Sequence, residues 1–152
     1  MSCGGGNRKN CRQKSCVRYY NTNPQPFAAG QTLQLQIAGA RVVDRGIAID
    51  VQPQSYTTLK TGLYHIAADV VLDVTTLGSG TLQVYMDGVP LPCTLRDLRL
   101  PVGYNEIHTE TDLELTACCC DVEHNFTFVL TSVEAVGNVV QCCTGIRKDD
   151  EA

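Results

Sequence analysis

Between Leu63 and Thr75 the chain alternates so regularly that only one kind of backbone accommodates it. Tyr64, Ile66, Ala68, Val70, Leu72 and Val74 share one parity, and His65, Ala67, Asp69, Val71 and Asp73 share the other. An extended strand puts every second side chain on the same side, whereas a helix would scatter both sets around its circumference. The stretch therefore predicts a strand with one buried face. Leu33, Leu35 and Ile37 repeat the pattern, as do Ile49 and Val51 with Ile47 after an Arg45-Gly46 turn. Leu82, Val84 and Met86 follow, then Ile107, Thr109, Thr111, Leu113 and Leu115, then Phe126, Phe128 and Leu130, with Val139 to Arg147 last. Gly78-Ser79-Gly80 and Asp87-Gly88 are strong turn signals, and Pro90, Pro92 and Pro101 confine their neighbours to edges or loops. No segment carries a helical period over three turns. Short strands at regular spacing predict an all-β antiparallel sandwich or barrel.

A chain of 152 residues suits one domain with a proper core. No apolar run approaches the ~18–20 residues that cross a bilayer. The N-terminus is basic and rich in Cys and Gly with no apolar stretch behind it, so no secretory signal is read there and the Asn125-Phe126-Thr127 sequon is not expected to carry glycan. The net charge of −4 is unevenly spread: Arg8, Lys9, Arg12, Lys14 and Arg18 give residues 1–18 a charge of +5 with no acid, and the remainder carries −9. With Gly4 to Gly6 and the Asn21-Thr22-Asn23-Pro24-Gln25-Pro26 stretch, this predicts an extended basic arm over residues 1–30. Packing is expected to begin near Thr32, giving a β domain over 31–148 and an acidic tail over 149–152.

Two phrases in the stretch Tyr56–Pro92 carry a resemblance. Thr61-Gly62-Leu63-Tyr64-His65-Ile66 opens the long strand, and Leu82-Gln83-Val84-Tyr85-Met86-Asp87-Gly88-Val89-Pro90-Leu91-Pro92 follows a Gly/Ser turn. The pair resembles the C1q/TNF-like jelly rolls of bacteria and their phages, including the heads of exosporium collagen-like glycoproteins and phage head-fibre or decoration proteins. The resemblance spans roughly residues 33–147. It implies a jelly-roll sandwich of about 8–10 strands, forming a homotrimeric head carried on an N-terminal arm. The chain departs from the exosporium proteins in lacking a Gly-X-Y stalk and in its nine cysteines.

Those cysteines fall in clusters: Cys3, Cys11 and Cys16; Cys93; Cys118, Cys119 and Cys120; Cys142 and Cys143. Zinc sites use Cys-x2-4-Cys pairs, and adjacent cysteines on a strand point to opposite faces, so a metal is not expected. Disulfides are the favoured reading, with Cys118 or Cys120 against Cys142 or Cys143, and Cys3, Cys11 and Cys16 linking an arm to another subunit. The remaining reading is free thiols acting as small buried hydrophobes, which best suits Cys93.

No catalytic constellation emerges. The histidines His65, His108 and His124 follow no nucleophile signature, and Glu106, Glu110, Asp112 and Glu114, with His108 among them, are read as a solvated face rather than a calcium site. No phosphate loop and no Trp are present. The sequence thus predicts no cofactor and a non-enzymatic virion-surface protein, with a spore surface as the alternative location. Its expected partners are further copies of itself, other virion or coat proteins held through Arg8, Lys9, Arg12, Lys14 and Arg18, and a host-surface glycan, with Tyr85 and Tyr104 the aromatic candidates. Membrane and nucleic acid are not expected partners. A metal- or redox-responsive protein is the remaining alternative.

Overall fold

The computed structural model describes residues 15–45, 48–116 and 123–149. Among them are thirteen strands: β1 (Cys16–Asn21), β2 (Gln25–Phe27), β3 (Thr32–Gln34), β4 (Ala40–Arg45), β5 (Ile49–Gln52), β6 (Ser55–Thr58), β7 (Gly62–Thr76), β8 (Gly78–Met86), β9 (Val89–Pro90), β10 (Arg96–Leu100), β11 (Gly103–Leu115), β12 (His124–Ser132) and β13 (Val136–Asp149). They form two antiparallel sheets. One runs β11-β7-β13-β1-β4 with β2 beside β13, and the other runs β10-β8-β12-β6-β5 with β3 beside β12 and β9 beside β8. β1 and β2 occupy successive stretches of the same side of β13, as β6 and β3 do along β12. The sandwich therefore has five main positions per sheet, which is the expected jelly-roll layout. No helix among the described residues is long and apolar enough to cross a membrane.

The core lies where alternation placed it. Tyr64, Ile66, Ala68, Val70, Leu72 and Val74 of β7 are all buried, facing Leu82 and Val84 of β8 and Phe126, Phe128 and Leu130 of β12. Tyr56 of β6 joins the two layers. Its ring meets Phe128 edge-on at 6.1 Å, and its hydroxyl lies 2.8 Å from Thr144 Oγ1 on β13 in the opposite sheet. Burial pushes the Tyr56 phenol well above its ordinary pKa, so it is a hydrogen-bonding group and not an ionising one.

Four sequence expectations are corrected. Packing begins before Thr32: β1 lies between β13 and β4, and Val17 and Phe27 are core residues. The sandwich supplies partners that the short, proline-interrupted stretch 16–27 does not advertise by itself. Pro26 is accommodated because β2 is three residues long and follows β1 along β13. Gly78-Ser79-Gly80 is not the turn but the start of β8, the turn falling at Leu77. A Cβ at Gly78 would collide with the backbone at Glu134 and Ala135, and one at Gly80 with the Thr131 carbonyl, so these glycines serve close strand approach. Leu35 and Ile37 are buried, but only Thr32–Gln34 forms ladder pairs. Finally, Cys93 is exposed: in the 3-10 turn Pro92–Thr94 it is Thr94 that points inward, bonding Val84 and Leu91. The Asp87-Gly88 hairpin stands as expected, with both residues at positive φ (53° and 80°) and Met86 facing Val89.

Candidate functional site

The outward face of the β11-β7-β13-β1 layer is a grid set by register. Its first row is Cys16, Arg147, His65 and Asp112; its second is Arg18, Gly145, Ala67 and Glu110; its third is Tyr20, Cys143, Asp69 and His108. The centre of the middle row holds the two smallest side chains, flanked by a long cation and a long anion. The result is a shallow groove of about 210 Å³ lined by Arg18, His65, Ala67, Asp69, Cys143 and Arg147, among others.

Beside this groove, imidazoles and carboxylates alternate across β7 and β11. His65 Nδ1 lies 2.7 Å from Asp112 Oδ1, and His65 Nε2 lies 3.5 Å from Glu110 Oε1. His108 Nε2 lies 2.5 Å from Glu110 Oε2, and its Nδ1 lies 2.6 Å from Asp69 Oδ1. Ionised carboxylates only accept, so satisfying both nitrogens of His108 requires both to carry hydrogen, which is the imidazolium form. The hydrogen bonds to Glu110 and then Asp69 accordingly raise the His108 pKa, and the His108 bond holds the Glu110 carboxyl below its usual range. The signs oppose one another. His108 contributes stability below its unfolded value and loses it as pH rises through the raised one, whereas Glu110 contributes above its unfolded value and loses it as pH falls. The pair is thus fully formed around roughly pH 5–6, between the ordinary carboxylate and imidazole values.

Across the groove, the neighbouring Cys143 and, more weakly, Asp69 raise the Arg18 pKa further. Arg147 Nε donates to Asp149 Oδ1 at 2.8 Å. Away from this face, His124 Nδ1 lies 2.7 Å from Asp87 Oδ2, and the Asn125 amide donates to Asp87 Oδ1 at 2.8 Å. Burial opposes the Asp87 charge, but these two bonds outweigh it and lower its pKa. No group of three or more His, Cys, Asp or Glu among the described residues is gathered to hold a metal ion.

The sequence-derived candidates scatter. Cys3, Cys11, Cys118, Cys119, Cys120, Arg8, Lys9, Arg12 and Lys14 lie outside the described residues. Cys16, Cys93, Cys142 and Cys143 are free thiols. Cys142 faces the core, and burial pushes its pKa up to about 12. Arg18 belongs to the sheet face and not to an arm. His65, Asp69, Glu110 and Asp112 escaped sequence reasoning as a unit. Each tripeptide-spaced set, His65/Ala67/Asp69 and His108/Glu110/Asp112, was visible, but only the antiparallel register sets them opposite each other. The thiol environments make a direct prediction. Under native conditions Cys93 is alkylated readily, whereas Cys142 reacts at least about 100-fold more slowly until the chain is unfolded; peptide mass spectrometry of labelled protein reads both. Fast native labelling of Cys142 would contradict its burial.

Two layers of this strand order with a continuous apolar interior define a C1q/TNF-like jelly roll. Solved structures agree. The crystal structure of murine APRIL at pH 8.0 superposes with a TM-score of 0.64 and 14% identity, covering 90% of this chain and 99% of that one. The vertex protein P5 of PRD1 superposes with a TM-score of 0.60 and 15% identity, covering 90% of this chain and 97% of that one. The sequence matches no protein-family model and no curated protein.

Proposed function

We propose that this chain is a non-catalytic surface protein of a virion that works as a homotrimer, closed through the outward face of the β11-β7-β13-β1 layer. The observation that carries the reading is the division of that face. Arg18 and Arg147 stand on β1 and β13, with Asp149 beside Arg147, whereas Glu106, Glu110, Asp112 and Glu114 stand on β11 around a single histidine. Complementary halves let the positive half of one copy meet the negative half of the next, and such a head-to-tail contact makes a ring where the rotation closes. Between the halves, Ala67, Val71, Gly145 and Cys143 are half-buried and leave room for a neighbour's side chains. The vertex protein of PRD1 shares the fold and supports the virion setting.

The register sets the polarity. β1 starts opposite the last residues of β13, so the chain enters and leaves the sandwich at one end. In our reading residues 1–14, with Arg8, Lys9, Arg12 and Lys14, hold this end to other virion or coat proteins, leaving 15–149 as the head. Cys3, Cys11, Cys16, Cys118, Cys119, Cys120 and Cys143 are available to reinforce the assembly covalently. The opposite end bears Leu77, Val102 and Val133, all exposed on neighbouring loops. Tyr104 is 76% exposed and supports a second reading, in which the head also contacts a surface glycan; Tyr85 is half-buried.

Light scattering with reductant present tests the assembly. The expected mass is three times the 16.5 kDa of one chain. Ala67→Arg, which places a charge on the groove floor, is expected to weaken association by at least about 100-fold while leaving the fold intact. A monomeric wild-type chain at high micromolar concentration would sink the reading. Particles still decorated by a chain lacking residues 1–14 would remove the attachment role.

A further inference from the structure

The imidazole–carboxylate chain on β7 and β11 lies within the face that the trimer reading closes, and it bears on when closure occurs. We propose that packing of this face against a second copy of the chain is proton-linked, with His108 as the group that takes up the proton. The inference rests on the trimer reading above.

The reason is hydrogen-bond stoichiometry. A neutral imidazole has one N–H, and His108 stands between two carboxylates, Glu110 and Asp69. When it loses its proton, one carboxylate loses its donor and faces a lone pair instead. In the free chain both acids are about half exposed, so water replaces the lost bond at little cost. Beneath a second copy, water is excluded and an unpaired carboxylate is strongly disfavoured. The neutral and charged forms therefore differ in their affinity for a neighbour, which is the condition for linkage.

The titratable and charged groups of this face carry both signs. β7 presents Asp69, Asp73 and His65; β11 presents Glu106, Glu110, Asp112 and Glu114; β13 presents Cys143, Arg147 and Asp149; β1 presents Cys16 and Arg18. Arg147 donates to Asp149 and Arg18 stands on the β1 side of Asp69, whereas the hydrogen bonds that link Glu110 to Asp69 both run through His108 on the β11 side. Protonation of His108 is the change that keeps both acids paired as the face dries. Assembly consequently strengthens as pH falls through the imidazole range and weakens above it, by up to about tenfold in Kd per pH unit for each proton taken up at a contact.

Sedimentation equilibrium of the full chain at constant ionic strength, with reductant, from pH 6 to pH 9, is the test. Wild type is expected to lose at least about tenfold in association across this range. His108→Gln, which has no titrating ring, is expected to associate weakly and without slope. Asp69→Asn is the informative partner: its amide donates to the neutral ring, so association stays strong at pH 9 and the slope flattens. Far-ultraviolet dichroism confirms that each variant is folded. Trimers whose stability is flat across this range, or a His108→Gln variant that keeps the wild-type slope, would overturn proton linkage and leave the trimer standing. A chain that is monomeric at every pH overturns the trimer reading itself, and the linkage with it.

Discussion

Tyr56→Ala is expected to lose about 3–5 kcal/mol of folding stability, a fall in Tm on the order of 10 °C for a chain of this size. Tyr56 is fully buried and reaches from β6 across the interior to Thr144 on β13. Truncation removes the ring that packs edge-on against Phe128, leaves a cavity between rigid sheets and strips Thr144 of a buried partner. Tyr56→Phe separates these contributions. It keeps the packing and removes only the hydroxyl, at about 1–2 kcal/mol. Urea unfolding at fixed protein concentration and with reductant measures both. Equal losses for the two variants would mean that the hydrogen bond, not the packed ring, joins the sheets here.

Gly137→Ala is expected to cost about 3 kcal/mol or more through overpacking, large for the addition of one methyl group. Gly137 sits at a register shift in β13, opposite Val74 of β7 and Phe27 of β2. A Cβ there would run into the Asp73 carbonyl oxygen and the Val74 Cα, both backbone atoms held by the β7–β13 ladder. No flexible side chain can yield. Gly88→Ala is the contrast, because a Cβ at Gly88 meets nothing within 4 Å and only its φ of +80° resists substitution. That variant is expected to cost about 1–2 kcal/mol. Thermal unfolding of the pair distinguishes close backbone approach from conformational strain. Comparable losses would show that β7 and β13 tolerate separation at this point.

Period-two patterning made the strands β7, β8, β11, β12 and β13 legible, because each has one face against the core and the parity of its residues records which. It was silent where a strand is short or its partners dominate. β1 buries Val17 and Asn21 while Arg18 and Tyr20 stay exposed, too little alternation to register in six residues. The glycines at 78 and 80 read as a turn because sequence cannot distinguish a glycine chosen for its φ from one chosen for the absence of a side chain. Cys93 read as buried because a lone apolar residue after Pro92 carries no information about which way a 3-10 turn faces.

The candidate face divides along the same line. The composition of β7's second parity, with Ala67 and Val71 among His65, Asp69 and Asp73, does not by itself separate a solvated surface from a contact face. What sequence alone determined was the all-β sandwich, the buried parity of its long strands, and the Asp87-Gly88 hairpin. These are local consequences of side-chain alternation and backbone φ preferences. The tertiary structure decided which residues meet: that Glu110 falls opposite Ala67, that His65 and His108 bracket one carboxylate, and that Arg18 and Cys143 line one groove. Register is a long-range property, set by how two sheets close on a common core, and a shift of two residues would preserve every buried face while dissolving this network.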